Sequence, residues 1–274
     1  MASMAQQRMT VKASGAASVR RTAREIFRYV ENNAHDELRR SPHALAFSGF
    51  AGGLSMGLTG LGVAAAMSAL GDIPARDFIA YMAYPVGFIA VIIGRAQLFT
   101  ENTLYPVALI LSERRHFADT ARLWTVVFSS NVLGAIAFAA LAIGTDALNQ
   151  PIHSQLVQLG VLAAQGSGSH IFWSGVIGGW IIALVAWLVT ASHWTIGQIA
   201  VIWLLTFVVG IGHFAHCIAS TGEIMSAVFA GLVPFRHYLY WLGLATAGNI
   251  FGGVMIVTLL NFGQVKAGED QEQT

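Results

Sequence analysis

The sequence predicts an all-α integral membrane protein with six transmembrane helices, of which the second and the fifth are broken. Of the 274 residues, 55% are hydrophobic and only 11% are charged, whereas about a quarter of the residues of a soluble domain are charged. The apolar residues form runs long enough to cross a bilayer, which takes about 20 residues. Two polar stretches, 95–103 and 212–223, interrupt one such run in each half of the chain.

Six apolar runs give the predicted spans in order. They lie near Ala44–Leu70, Phe78–Leu111, Leu123–Ile143, Ile171–Ala191, Ile196–Pro234 and Tyr238–Leu260. The second span breaks at Leu98–Asn102 and the fifth at Gly212–Thr221. Polar backbone at this depth is tolerated only where protein buries it or where it lines a water-filled cavity. A break in each half is typical of an internally repeated transporter with its site near the bilayer midplane.

The predicted domains are an N-terminal segment 1–41, a pore domain 42–262 and a disordered tail 263–274. Lysine and arginine are concentrated in residues 8–40 and 114–122, while the loop 144–170 contains neither. Cytoplasmic loops carry the excess of these residues, so both termini are expected in the cytoplasm. The first eighteen residues lack an apolar core, so we expect no cleavable signal peptide.

The stretch Arg20–Leu38 predicts a short amphipathic helix, with apolar Ile26, Phe27 and Val30 among arginines. Such a helix binds the surface of a membrane containing anionic lipids. The alternative is that it caps the mouth of the pore.

Other classes of function have little support. A net charge of +1 gives no sign of a nucleic-acid partner, and a single cysteine, Cys217, cannot form an internal disulfide. An enzyme would need a metal cluster or a nucleophile with a base. His213 and His216 lack the further ligands that a metal site requires, so we expect neither a metal nor a cofactor.

The breaks carry two recognisable segments. The first is Leu98-Phe99-Thr100 followed by Asn102, and the second runs from Phe214 to Ser220 around His216. With the glycine-rich stretch 50–57 and the segment 131–134, they make the chain resemble the formate/nitrite transporter family over residues 24–261. The resemblance implies an aquaporin-like fold of two inverted three-helix repeats, a homopentamer with a pore in each subunit, and a bacterial inner membrane. It also implies passage of small weak-acid anions, such as formate or nitrite, together with protons.

The resemblance makes His216 the central pore histidine and Thr100 its hydrogen-bond partner. The other pore residues that it implies are Leu98, Phe99, Tyr84, Asn102 and Ser220. A bare anion in an apolar constriction is costly, but a weak-acid anion crosses as the neutral acid after accepting a proton. A histidine, with an unperturbed pKa of about 6.5, suits this exchange near neutral pH. We expect Thr100 to fix its tautomer.

Three charged residues, Arg95, Glu101 and Glu223, lie at or near membrane depth. Charges there are rare and usually paired. They either relay charge along the pore or form ion pairs that stabilise the broken helices.

Several positions depart from the family pattern and leave the substrate open. They are Gln97, Glu101, Gly179 and Ser220, and a lysine expected ahead of the fourth span is missing. The alternatives are a pore for neutral small solutes and a non-transporting regulatory membrane protein of the same fold.

Overall fold

The computed structural model describes residues 21–272, and every regular element within them is helical. The α-helices, in chain order, are α1 (Ala23–Arg39), α2 (Pro42–Leu70), α3 (Arg76–Tyr81), α4 (Pro85–Ile93), α5 (Tyr105–Glu113), α6 (Phe117–Gly144), α7 (Gln150–Ala163), α8 (Gly168–Ala191), α9 (Thr195–Ile211), α10 (Ala219–Phe229), α11 (Phe235–Phe251) and α12 (Leu259–Glu272). A 3-10 turn, Glu101–Thr103, precedes α5, and a π-helix, Gly252–Thr258, joins α11 to α12.

Within residues 21–272, five helical stretches are long and apolar enough to cross a membrane. They are Pro42–Leu70, Arg76–Ile93, Phe117–Gly144, Gly168–Ala191 and Phe235–Gly268. The predicted fifth span consists of α9, a shorter apolar helix, and α10, with the break between them. The prediction of an all-helical membrane fold with broken second and fifth spans is confirmed, and the count of six spans stays a prediction.

The two halves of the chain repeat the same packing. Helix α2 packs along α6 in the first half, and α8 packs along α11 in the second. Glycines permit both contacts: a Cβ on Gly53 would overlap the backbone of Asn131, and a Cβ on Gly179 would overlap the backbone of Asn249. Likewise α1 packs on α5, and α7 packs on α10.

Helix α7 is an element that the sequence predicts as loop. Asn149 caps it by accepting a hydrogen bond from the Ile152 N–H at 3.1 Å, and Pro151 stands in its first turn. Its apolar residues Leu156 and Leu159 are buried against the bundle. An Asn-x-Pro start followed by a helix is a recognisable signal, but the run is too short for the span criterion that located the other helices.

Helix α1 begins with a capping box in which Thr22 and Glu25 bond each other's backbone N–H. Its apolar residues Ile26, Phe27 and Val30 are buried in a cluster with residues of α5, α8, the π-helix and α12. The protein itself therefore covers this apolar face, and whether α1 binds the lipid surface or caps the pore mouth stays a prediction. Residues 1–20 lie outside the described part of the chain.

The end of the chain also differs from the prediction. Helix α12 continues to Glu272, whereas the sequence predicts a disordered tail from Gly263. The physical reason is contact with α1: Val265 is buried in the same cluster, and the Phe262 and Phe27 rings lie 5.8 Å apart.

Candidate pore and its central histidine

The first break is held by one asparagine of α6. After α4 ends at Ile93, the chain leaves helical geometry at Arg95, which has a φ of 58°. The Phe99 N–H donates to Asn131 Oδ1 at 2.8 Å. Asn131 Nδ2 donates to the carbonyl oxygens of Gly49 at 2.6 Å and Gln97 at 2.8 Å. The bonds to the Phe99 N–H and the Gln97 carbonyl satisfy backbone groups that the missing helical turn leaves free. The bond to Gly49 ties the break to α2.

The second break repeats this arrangement with an asparagine of α11. The Cys217 N–H donates to Asn249 Oδ1 at 2.9 Å. Asn249 Nδ2 donates to the carbonyl oxygens of Gly175 at 2.7 Å and Ala215 at 2.8 Å. His213, with a φ of 51°, is the counterpart of Arg95.

The matching hydrogen bonds align the two breaks residue by residue. Phe99 corresponds to Cys217. By the same alignment, Leu98 is equivalent to His216, and Asn102 is equivalent to Ser220. Sequence reasoning used the segment that begins at Asn131 but missed Asn249. The signal was available, because Asn-x-x-Gly recurs at 131–134 and 249–252.

His216 and Thr100 join the two breaks at the centre of the protein. Both residues are completely buried, and Thr100 Oγ1 lies 2.8 Å from His216 Nε2. The Ala219 N–H donates to His216 Nδ1 at 3.0 Å. Nδ1 is therefore an acceptor, and neutral His216 carries its proton on Nε2 and donates it to the Thr100 hydroxyl. The backbone of α10, rather than Thr100 as the sequence suggested, fixes the tautomer.

Apolar side chains surround this pair. The Phe88 ring centroid lies 5.1 Å from that of His216, and the Tyr84 ring lies 5.7 Å from Phe88. Leu98 is buried in the same hydrophobic core as Phe88 and Tyr84. The Phe99 ring instead packs on Trp124 of α6, with centroids 5.7 Å apart. Only the backbone of Phe99 thus belongs to the break, whereas Tyr84 and Leu98 contribute side chains.

A cavity opens on each side of this barrier. The α7-side cavity has a volume of about 520 Å³, and the predicted residues in its lining are Tyr84, Ser220 and Glu223. The α1-side cavity has a volume of about 230 Å³, and the predicted residues in its lining are Arg95, Leu98, Glu101 and Asn102. Neither lining includes His216 or Thr100. The histidine pair therefore lies in a dry region between two vestibules.

The charged residues face the cavities rather than one another. Glu101 and Glu223 are 9% and 8% exposed, and each lines a different cavity. Among residues 21–272, neither forms an ion pair within 4.0 Å, and Arg95 forms none with Glu101. Of the two alternatives that the sequence left open, the described residues therefore offer no ion pair of Arg95 with Glu101, and the charge relay stays a prediction.

Asn102 stabilises the first break through its side chain. Its Nδ2 donates to Gln97 Oε1 at 2.8 Å and to the Leu98 carbonyl oxygen at 3.2 Å. Its own carbonyl oxygen accepts from Trp124 Nε1 at 2.8 Å. Ser220, its counterpart, donates through its backbone N–H to the His216 carbonyl oxygen at 3.0 Å.

The bundle is internally repeated and has two broken spans. A cavity lies on each side, and the buried pair of His216 and Thr100 lies between the cavities. These features define the class of membrane channels and transporters. The comparisons with known proteins agree. The family model for formate/nitrite transporters matches residues 24–263. The chain therefore belongs to the formate/nitrite transporter family. This membership confirms the prediction of a transport protein rather than an enzyme.

Two relatives show the extent of the similarity. The chain is 32% identical over 251 residues to "Inner membrane protein YfdC" of Escherichia coli (strain K12), covering 89% of this chain and 79% of the relative. It is 31% identical over 195 residues to the "Probable formate transporter" of Methanothermobacter thermautotrophicus, covering 65% of this chain and 71% of the relative.

Two solved structures share the fold. One is an "FNT family ion channel", with a TM-score of 0.75 at 17% identity, covering 85% of this chain and 96% of that one. The other is a "Pentameric formate channel with formate bound", with a TM-score of 0.67 at 17% identity, covering 80% of this chain and 95% of that one.

Proposed function

We propose that this protein passes a small monovalent weak acid such as formate across the membrane, together with a proton that His216 exchanges. The observation that carries the proposal is the hydrogen bond between His216 and Thr100, 2.8 Å long, in the dry barrier between the two cavities. The family membership and the relative named as a probable formate transporter support the same substrate class.

The barrier favours an acid that can become neutral. His216 and Thr100 are completely buried and Leu98 is 1% exposed, so an anion that reaches them loses its hydration. Transfer of an unpaired charge into such surroundings is prohibitive. A formate ion that accepts a proton crosses as formic acid, whereas chloride has no such route.

His216 is built to hold a proton briefly. Neutral His216 already donates from Nε2, so a second proton must enter at Nδ1, where the Ala219 N–H now donates. Displacing that bond leaves a buried N–H without an acceptor, which costs about 1–3 kcal/mol. The cation is therefore short-lived, and returning a proton to an anion in the barrier restores the bond to Ala219.

The carboxylates of Glu101 and Glu223 fit a role as proton relays better than a role as ion pairs. Each is nearly buried, lines one cavity and forms no ion pair with another residue in the described range. A carboxyl group on each side of His216 can deliver protons to the barrier or remove them.

The proposal includes the orientation and the assembly. We place the α1 side in the cytoplasm, because the arginines that precede and follow α1 and α5 mark that side. We place the protein in a bacterial inner membrane, with support from the relative whose name states that location. A homopentamer is supported by the structural neighbour that is described as pentameric.

The test is uptake of labelled formate into liposomes that contain the purified protein. Flux through the wild type should rise as the outside pH is lowered from about 7.5 to 5.5, across the titration range of histidine. The His216→Ala variant should lose this flux, while His43→Ala, which removes an exposed histidine outside the pore, should keep it. Equal flux in wild type and His216→Ala would overturn the proposal.

One observation favours a second candidate, a pore for neutral small solutes. Glu101 and Glu223 place a carboxyl group at each side of the barrier, and such groups repel free anions when ionised. This candidate predicts uptake of glycerol or urea that does not depend on pH and survives in His216→Ala. A protein with no flux for any of these solutes would instead be the non-transporting alternative.

A further inference from the structure

Outside the pore, three side chains of metal-binding type meet where α1 passes the turn between α5 and α6. His35 Nε2 lies 2.9 Å from Glu113 Oε1, and His116 Nε2 lies 3.0 Å from Glu113 Oε2. The two imidazole rings lie 5.8 Å apart at 89°. One ligand atom from each of the three residues lies within 4.8 Å of the other two.

We propose that His35, Glu113 and His116 form a binding site for a divalent transition-metal ion, with zinc as the best match. Two histidines and one carboxylate, with water in the fourth position, form an established zinc ligand set. Zinc bonds of about 2.0–2.2 Å put neighbouring ligand atoms of a tetrahedron about 3.3–3.5 Å apart. The separations of 2.9 and 3.0 Å are slightly shorter, so an entering ion needs only small side-chain shifts.

Tertiary contacts hold the three ligands together. Arg122 of α6 donates to the carbonyl oxygens of Leu38 at 2.6 Å and Arg40 at 3.0 Å, which fixes the end of α1 on α6. Glu113 is the last residue of α5, and His116 directly precedes α6 with a φ of 73°. A backbone in the left-handed region is unusual for a residue other than glycine. In this backbone conformation the His116 ring points toward Glu113, with Nε2 3.0 Å from Glu113 Oε2.

The surroundings of the cluster both support and oppose a cation. Asp119 Oδ2 lies 3.8 Å from His116 Nδ1, which is beyond hydrogen-bond distance, but its negative charge favours a cation beside the ring. Arg115 opposes binding, because its guanidinium contacts Glu113 Oε2. Its side chain is 68% exposed, however, so it can turn into the solvent while Oε1 remains available as a ligand.

The position of the cluster determines how an ion reaches it and what a bound ion would do to α1. The side chains of His35, Glu113 and His116 are 33%, 25% and 19% exposed, so an ion can reach them from the solvent. His35 shares α1 with Asp36 and Glu37, which line the α1-side cavity. A bound ion would tie this wall of the vestibule to the α5–α6 turn and restrain α1.

The test is a zinc titration of the full-length protein in detergent, with a chromophoric zinc indicator as competitor. One ion should bind per chain in the wild type, and cobalt in its place should give the visible absorption of a tetrahedral site. His35→Ala and His116→Ala should each weaken zinc binding at least as much as loss of an outer-shell partner does, about 10–100-fold. The control variant His43→Ala removes an exposed histidine outside the cluster, and it should bind zinc as tightly as the wild type does.

A second readout separates loss of the site from loss of the fold. The unfolding temperature of each variant is measured without and with zinc, and only the zinc-induced rise is compared. Hydrogen exchange of α1 should slow on addition of zinc in the wild type and not in His35→Ala. The proposal would be overturned if the wild type did not bind zinc stoichiometrically. It would also be overturned if His35→Ala and His116→Ala bound zinc as tightly as the wild type does.

Discussion

Asn131 and Asn249 occupy equivalent positions in the two repeats, and each holds one broken helix. The Oδ1 of Asn131 accepts from the Phe99 N–H at 2.8 Å, and the Oδ1 of Asn249 accepts from the Cys217 N–H at 2.9 Å. Each Nδ2 then donates to two carbonyl oxygens. Irregular backbone at this depth is stable only when such partners exist.

Replacing either asparagine by leucine should destabilise the protein strongly. Each change leaves one N–H and one carbonyl group of a break without this partner, and each unsatisfied buried group costs about 1–3 kcal/mol. The other carbonyl group, of Gly49 or Gly175, lies inside a helix and keeps its helical N–H donor. We expect a loss of at least about 2 kcal/mol, measured as a lower unfolding temperature in detergent. Asn261→Leu is the matched control, because within the described residues the Asn261 side chain hydrogen-bonds only the Val257 carbonyl oxygen. Equal unfolding temperatures for Asn131→Leu and Asn261→Leu would show that these bonds do not hold the break.

The close contacts between α2 and α6, and between α8 and α11, give a second prediction. Gly53→Ala and Gly179→Ala place a methyl group against the backbone of Asn131 and Asn249. Overpacking of this kind costs about 1–3 kcal/mol, so both variants should unfold at lower temperature. Gly263→Ala is the control, since no atom of the described part of the chain lies within 4 Å of the added carbon. Unchanged stability of both core variants would mean that the helices can separate without cost.

The capping box of α1 should make its first turn sensitive to acid. Hydrogen bonds from the backbone N–H and the hydroxyl of Thr22 lower the pKa of the Glu25 carboxyl below its ordinary value of 4.5. A lowered pKa in the folded state means that the ionised carboxylate stabilises the turn above pH 4.5 and that this stabilisation is lost as pH falls through the lower value.

The measurement is the hydrogen-exchange protection of the first turn of α1, relative to the intrinsic rate, as the pH is lowered. Protection should fall in the wild type, and Glu25→Ala should show the low protection at every pH. Helix α7 is an internal control, because the neutral Asn149 caps it. Parallel loss of protection in both helices would point to general unfolding instead.

Glu101→Gln and Glu223→Gln test the proposed relay. If the carboxyl groups carry protons to and from His216, each variant should lower formate flux more at about pH 7.5 than at about pH 5.5, where free protons are more abundant. Glu31→Gln, which changes a carboxylate of α1 outside both cavity linings, should leave flux unchanged. An equal loss at both pH values would instead assign the two residues a structural role.

The local patterns predicted most of the fold. Long apolar runs located the spans, and the polar residues 95–103 and 212–223 located both breaks. The breaks could be located because backbone groups without hydrogen-bond partners are costly inside a membrane. Polar, non-helical segments therefore occur there only where protein covers them or where they line a water-filled cavity. Helix α7 was missed although its Asn-x-Pro start is visible in the sequence, because its apolar run is too short for the span criterion. The burial of α1 was not predictable from local patterns. It depends on tertiary contacts, such as that of Val265 with the α1 cluster, which no periodicity in one segment encodes.

The site was predicted in part for the same reason. His216 and Thr100 followed from the motifs, and the structure brings them to 2.8 Å. The role of the Ala219 N–H in fixing the tautomer depends on where α10 begins, which is beyond the accuracy of a boundary read from sequence. The cluster of His35 with Glu113 was invisible for a simpler reason, since 78 positions separate them in the chain.

The most direct measurement of proton-linked passage through His216 follows protons and formate together. Liposomes with the protein and an internal pH-sensitive dye receive an inward formate gradient with no initial pH difference, beside protein-free liposomes. The wild type should acidify the interior faster than protein-free liposomes do, and His216→Ala should not exceed the protein-free rate. Formate entry through the wild type without internal acidification, or equal acidification by His216→Ala, would contradict proton exchange at His216.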